Sequence, residues 1–190
     1  MSPKHNASER GASLIVVILV LAFMLAVGIA LLTTTGTAPK ISGNVRDQEE
    51  AFNTAEAGFE AARVQISNYL TTGAWANFSG NTLQIPTGID LPLDVHYFRR
   101  RTDTDLVQSL TLGNTGLIFL NQPFIHLADG SLDTSREYTV FLIDDMAGTP
   151  TPDASNALMV CIGVVRSGTR ILATSRLEIV LAVQSGGTNP

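Results

Sequence analysis

Cysteine and histidine are scarce in this chain: Cys161 stands alone, and His5, His96 and His126 are widely separated. A single thiol allows neither an intramolecular disulfide nor a cysteine metal cluster. Cys161 lies in the apolar run Ala157-Leu158-Met159-Val160-Cys161-Ile162. In such surroundings a thiol acts as a small buried hydrophobe, whereas a reactive one wants an electropositive, partly exposed place. His96 or His126 could be combined with many Ser and Asp residues into a hydrolytic triad, but no nucleophile motif such as Gly-x-Ser-x-Gly supports one. No catalytic residue is assigned, and no enzyme is expected. Asp129-Gly130-Ser131-Leu132-Asp133 and Asp144-Asp145 offer oxygen ligands suited to calcium. Neither has the spacing of a known calcium loop, and aspartate is common in surface turns, so no metal or cofactor is assigned.

Arg99-Arg100-Arg101 is the one basic cluster. Clustered arginines can touch phosphate, but Asp94, Asp103 and Asp105 lie close by, which reads as a strand end solvated by mixed charge. The net charge of −5, from 12 basic and 17 acidic residues, argues against a general nucleic-acid binder.

The most informative chemistry is at the N-terminus. Ala12 to Leu32 carries no charge and follows a short polar leader ending Ser8-Glu9-Arg10-Gly11. At ~1.5 Å per residue such a helix covers roughly 30 Å, the hydrocarbon thickness of a bilayer. A cleaved signal peptide has an apolar region of only about 7–15 residues followed by small residues; Gly36 and Ala38 are the candidates here. An ordinary membrane anchor explains the length but not the glycine at the front edge. Lys4 and Arg10 before the span balance Lys40 and Arg46 after it, so basic residues leave the orientation almost open. The short leader argues more strongly, since it has no room for a folded domain on its side.

The elements that must carry this boundary are a long helix and a sheet. Thr33-Thr34-Thr35-Gly36-Thr37-Ala38-Pro39 should loosen the helix, because proline removes a donor and glycine weakens a helix by ~1 kcal/mol. A break or kink is expected near residues 36–43. Helix then resumes, with Val45, Phe52, Ala55, Phe59, Ala62, Ile66 and Tyr69 on one face. Such a narrow stripe suits packing on the chain's own domain and also on other helices. Beyond Trp75, turn residues give way to β-like runs at Leu93–Arg99, Leu106–Leu112, Leu117–Leu120, Glu137–Ile143, Leu158–Val165 and Arg170–Val183. The last two flank Arg166-Ser167-Gly168-Thr169, a hairpin turn with Ser-Gly at its centre. The class is α+β, a long N-terminal helix followed by an antiparallel sheet. The segments are a leader at 1–11, an apolar helix at 12–32, its continuation at 33–70, a β-rich region at 71–184 and a polar tail at 185–190.

Glu9-Arg10-Gly11-Ala12-Ser13-Leu14-Ile15-Val16, the threonines closing the span, and Gly43-Asn44-Val45-Arg46-Asp47 through Ala55-Glu56-Ala57-Gly58 together resemble the N-terminal region of PilX-type minor type IV pilins. The resemblance covers roughly residues 9–66. It implies that a prepilin peptidase cuts after Gly11 and methylates the new amine of Ala12. It further implies that the apolar helix holds the subunit in the inner membrane, N-terminus in the cytoplasm and C-terminal domain in the periplasm. On assembly into a filament, that helix packs among other major and minor pilins. A glycine suits such a cut because it lets a protease approach the backbone closely.

Major pilins carry a glutamate as the fifth residue after the cut, and here that position is Val16. They commonly staple a C-terminal loop with a disulfide, and here Cys161 has no partner. The first departure is typical of PilX-type pilins and of the K-type tip pseudopilin of type II secretion, and it implies an initiating or tip-located subunit. Three readings stay open: a minor pilin of a type IV pilus, a pseudopilin of a secretion or competence system, and a bitopic periplasmic ligand-binding domain unrelated to pili.

Overall fold

One α-helix, α1, runs from Ala7 to Thr71 in the computed structural model, which describes residues 7–144 and 154–183. The break expected near residues 36–43 does not form. Interrupting a helix exposes orphan N–H and C=O groups at two new ends and demands a fresh nucleation. Gly36 and the missing N–H of Pro39 cost less than that. The chain divides into two units, Met1–Val45 and Arg46–Pro190. In the first, Leu14–Leu32 has a mean hydropathy of 3.3, is long and apolar enough to cross a membrane, and buries nothing within the chain.

The second unit is built on a four-stranded antiparallel sheet in the order β1 (Leu117–Pro123), β2 (Arg136–Ile143), β3 (Asn156–Ser167) and β4 (Arg170–Ala182). Consecutive strands are neighbours, but only β3 and β4 are joined by a tight turn; residues 124–135 and 144–155 separate the other pairs, where short turns were expected. The β3–β4 hairpin closes with Ser167 opposite Arg170. Its two-residue turn is therefore Gly168-Thr169, one position later than expected. Gly168 takes φ +59° at the first turn position, the conformation that a type II′ hairpin demands of glycine.

Two of the β-like runs are not strands. Leu93–Arg99 forms turns leading into a single 3-10 turn at Phe98–Arg100, because Asp94 Oδ1 accepts from the His96 N–H and bends the backbone. Leu106–Leu112 belongs largely to a short helix, α2, at Asp103–Ser109. Thr102 caps it, its hydroxyl accepting from the Asp105 N–H at 3.2 Å. The segment before Leu117 is thus loop, turn and short helix, and the strands lie between residues 117 and 182.

Both faces of the sheet are covered. On one, Tyr138, Val140, Leu142, Met159 and Cys161 meet Ala62 and Ile66 of α1. On the other, Phe141, Ile143, Val160, Ile162 and Val164 meet Leu83, Ile89, Phe98 and Leu106. This double burial is why β3 reads as an unbroken apolar run, while the edge strand β4 alternates. The buried line of α1 is Ala51, Ala55, Gly58, Ala62 and Ile66. Of the face expected from sequence, Ala55, Ala62 and Ile66 are buried and Phe59 packs half-buried beside them. Val45 and Phe52 are exposed instead. Small side chains face the sheet because they allow the helix backbone to approach it, and the larger ones rotate away.

Candidate assembly surface

The surface that can recognise a partner begins on the first unit. Gly11, Ala12 and Val16 all lie within the helical backbone of α1. Val16 is 58% exposed, and the large apolar residues on every side of the helix from Leu14 to Leu32 are exposed too. Apolar surface of this kind is stable only in a membrane or against other apolar helices. No carboxylate interrupts it, since the residues from Leu14 to Leu32 are all uncharged.

In the second unit, α1 is fastened to the sheet by an ion-pair network at its start. Arg136 Nη2 donates to Glu50 Oε2 at 2.8 Å, and Arg46 Nε donates to Glu50 Oε1 at 3.0 Å. Arg136 Nη1 also donates to Asp133 Oδ2 at 2.7 Å. Burial alone would raise the Glu50 carboxyl. The hydrogen bonds and charges of Arg46 and Arg136 outweigh it and hold that carboxyl below its ordinary value. Thr54, buried one turn on, donates its hydroxyl to the Glu50 carbonyl at 2.7 Å. Part of the helix stripe was legible in sequence, namely Ala55, Ala62 and Ile66; this network was not, because Arg136 lies far from Glu50 along the chain.

The residues singled out for chemistry do not converge. Burial pushes the Cys161 thiol up to about 12, and it is fully enclosed between the sheet and α1. His96 and His126 are both exposed and sit in separate loops; His5 and Asp145 lie outside the described residues. Asp129 is spent on its own turn, accepting from the Ser131 N–H and hydroxyl, which lowers its pKa. Asp133 accepts from the Ser135 N–H and pairs with Arg136. Among the described residues no group of three or more His, Cys, Asp or Glu side chains could hold a metal ion.

The arginine cluster sits at the 3-10 turn, not at a strand end. Arg99 Nη2 donates to Glu178 of β4 at 2.6 Å, and Arg101 Nη1 to Ser109 Oγ at 2.8 Å. Asp103, expected to neutralise the cluster, instead accepts from Arg176 Nε at 2.7 Å. The strand-end reading is corrected on both counts, and the charge partner of Arg99 is Glu178, which sequence proximity missed.

The described residues thus combine a helix long and apolar enough to cross a membrane with a second helical stretch laid on an antiparallel sheet. The family comparison agrees. Residues 10–60 match the family model described as PilX N-terminal. Residues 10–60 are therefore a PilX-type type IV pilin N-terminal region, which supports a pilus-related minor pilin in general. The match runs from before the span to Glu60 and leaves the sheet outside it. No curated protein and no solved structure gives a significant match to the chain.

Proposed function

We propose that this chain is a minor pilin that initiates or caps a type IV pilus. A prepilin peptidase removes residues 1–11 by cutting after Gly11 and methylates the amine of Ala12. The subunit waits in the inner membrane with its N-terminus cytoplasmic and its sheet domain periplasmic, then enters the filament through its helix. It binds no nucleic acid and no cofactor.

Val16 carries the tip assignment. After cleavage, Ala12 presents a positive amine among apolar helices, and an unpaired buried charge is costly. Breaking a buried pair by removing one partner costs about 3–5 kcal/mol. With valine where major pilins place glutamate, this subunit offers no carboxylate to the amine of a neighbour. Repeated copies cannot form a long filament, whereas one copy at a unique end meets the penalty once. Quantitative mass spectrometry of sheared pili tests the reading. The chain should begin at methylated Ala12 and be rare relative to the major subunit, and a Gly11→Phe variant should retain its leader. Finding it as the majority subunit, or normal trimming of Gly11→Phe, overturns the proposal.

A further inference from the structure

The two edges of the sheet are built differently. β1 has seven residues and shifts register twice against β2; it holds Asn121 at φ +46° and ends on Pro123, which has no N–H to offer. These are the devices that blunt an edge. β4 has 13 residues, contains no proline, and keeps unbroken register with β3 from Ala173 to Ala182. Every second residue of such an edge turns its N–H and C=O away from the sheet. Among the described residues no backbone hydrogen bond joins the outer edge of β4 to another segment.

The flanks of that edge are also unlike. On the side away from α1, Arg176 and Glu178 are already engaged by Asp103 and Arg99. On the side of α1, Leu177, Ile179, Leu181 and Val183 form a half-buried apolar row. Past its end a cleft of about 430 Å³ opens between Leu181 and Val183 and the side chains of Ile66, Leu70 and Phe78.

We infer that the outer edge of β4 receives an extended strand from a different polypeptide of the pilus, with apolar side chains at alternate positions. A row of free peptide groups is satisfied by another backbone in β conformation. The two-residue period of that strand lays every other side chain along the apolar row and into the cleft. A docked helix would leave the edge groups unpaired. A second copy is scarce in the low-copy role, and in that clause the inference rests on the pilus reading.

Amide hydrogen exchange of the full chain tests it, in membrane extracts in detergent and in sheared pili. In detergent, alternate amides of β4 should exchange fast, because β3 protects only the other half. In pili those amides should slow by about 100-fold or more, while the outer amides of β1 do not change. Thr174→Pro and Ser175→Pro separate edge from fold, since only one of these neighbours points its N–H outward. The variant that keeps the wild-type melting midpoint should lose the protection in pili. Presence in pili with β4 unprotected overturns this inference alone, as does retained protection in the folded proline variant. Absence from pili overturns both readings. Protection already present in detergent, with the chain running as a dimer, assigns the edge to a second copy and overturns the occupant named here.

Discussion

Two stretches of α1 share one backbone conformation and opposite surfaces. From Leu14 to Leu32 most side chains are large and apolar, and the chain itself covers none of that span. In the second unit the buried line is Ala51, Ala55, Gly58, Ala62 and Ile66, pressed against the sheet. Apolar content alone therefore does not say where a helix finds its cover. Bulk does: large side chains suit a deformable surround, lipid or partner helices, whereas small ones suit a fixed sheet that the backbone must approach closely. The contrast can be broken or sharpened residue by residue.

The largest effect should come from a pair of glycines. A Cβ on Gly163 of β3 would collide with the Ala51 carbonyl and lie 2.5 Å from the Ala55 nitrogen, both backbone atoms of α1. Gly28 in the span has nothing within 4 Å. Gly163→Val should destabilise the sheet domain by about 3 kcal/mol or more, while Gly28→Val should shift its unfolding by no more than ~0.5 kcal/mol. Denaturant unfolding of the detergent-solubilised chain, followed by the fluorescence of Trp75, the only tryptophan, reads both. Equal effects at the two sites would erase the distinction.

Next comes the fastening of helix to sheet. Glu50→Gln should cost about 1–2 kcal/mol at pH 7, because Arg136 and Arg46 lose a half-buried partner. Since the Glu50 carboxyl is held below its ordinary value of 4.5, its contribution is complete above that pH and fades as the pH falls through the lowered value. The gap between wild type and variant should close below about pH 4.5. A gap that persists unchanged at pH 3 would show that the effect is not the charge.

Gly58→Ala should cost less, about 1 kcal/mol. Its methyl would meet the Tyr138 ring at 2.9 Å, and a ring can shift where a backbone cannot. The same unfolding assay should place it between Gly163→Val and Gly28→Val. A cost as large as that of Gly163→Val would mean that the ring is held as rigidly as the backbone. The smallest effect concerns Cys161, whose thiol burial pushes up to about 12. Native protein at pH 8 should resist iodoacetamide and label only on unfolding; rapid labelling of the native chain would show that the helix–sheet seam opens.

Much of this was legible from residue order. The apolar length of the span, the shared helix face of Ala55, Ala62 and Ile66, the alternation of Leu177-Glu178-Ile179 and the enclosed Cys161 all follow from local pattern, because burial on a helix face or a pleat imposes a period. The misread runs at Leu93–Arg99 and Leu106–Leu112 failed where side chains of turns and caps, Asp94 and Thr102, redirect a β-like composition. The Thr102-Asp103-Thr104-Asp105 cap was itself a readable signal.

What the sequence by itself determined is the polar-to-apolar boundary at Gly11-Ala12, the valine at position 16, the α+β order and the PilX-type character of residues 10–60. These depend on neighbours along the chain. The tertiary structure decided the continuity of α1 past Pro39, the exposure of Phe52, the Glu50–Arg136 fastening, the Arg99–Glu178 pair and the contrast between the two sheet edges. Each of these balances groups that meet only on folding, or weighs a local penalty against the cost of interrupting a long cooperative element. No window of sequence contains both sides of that balance.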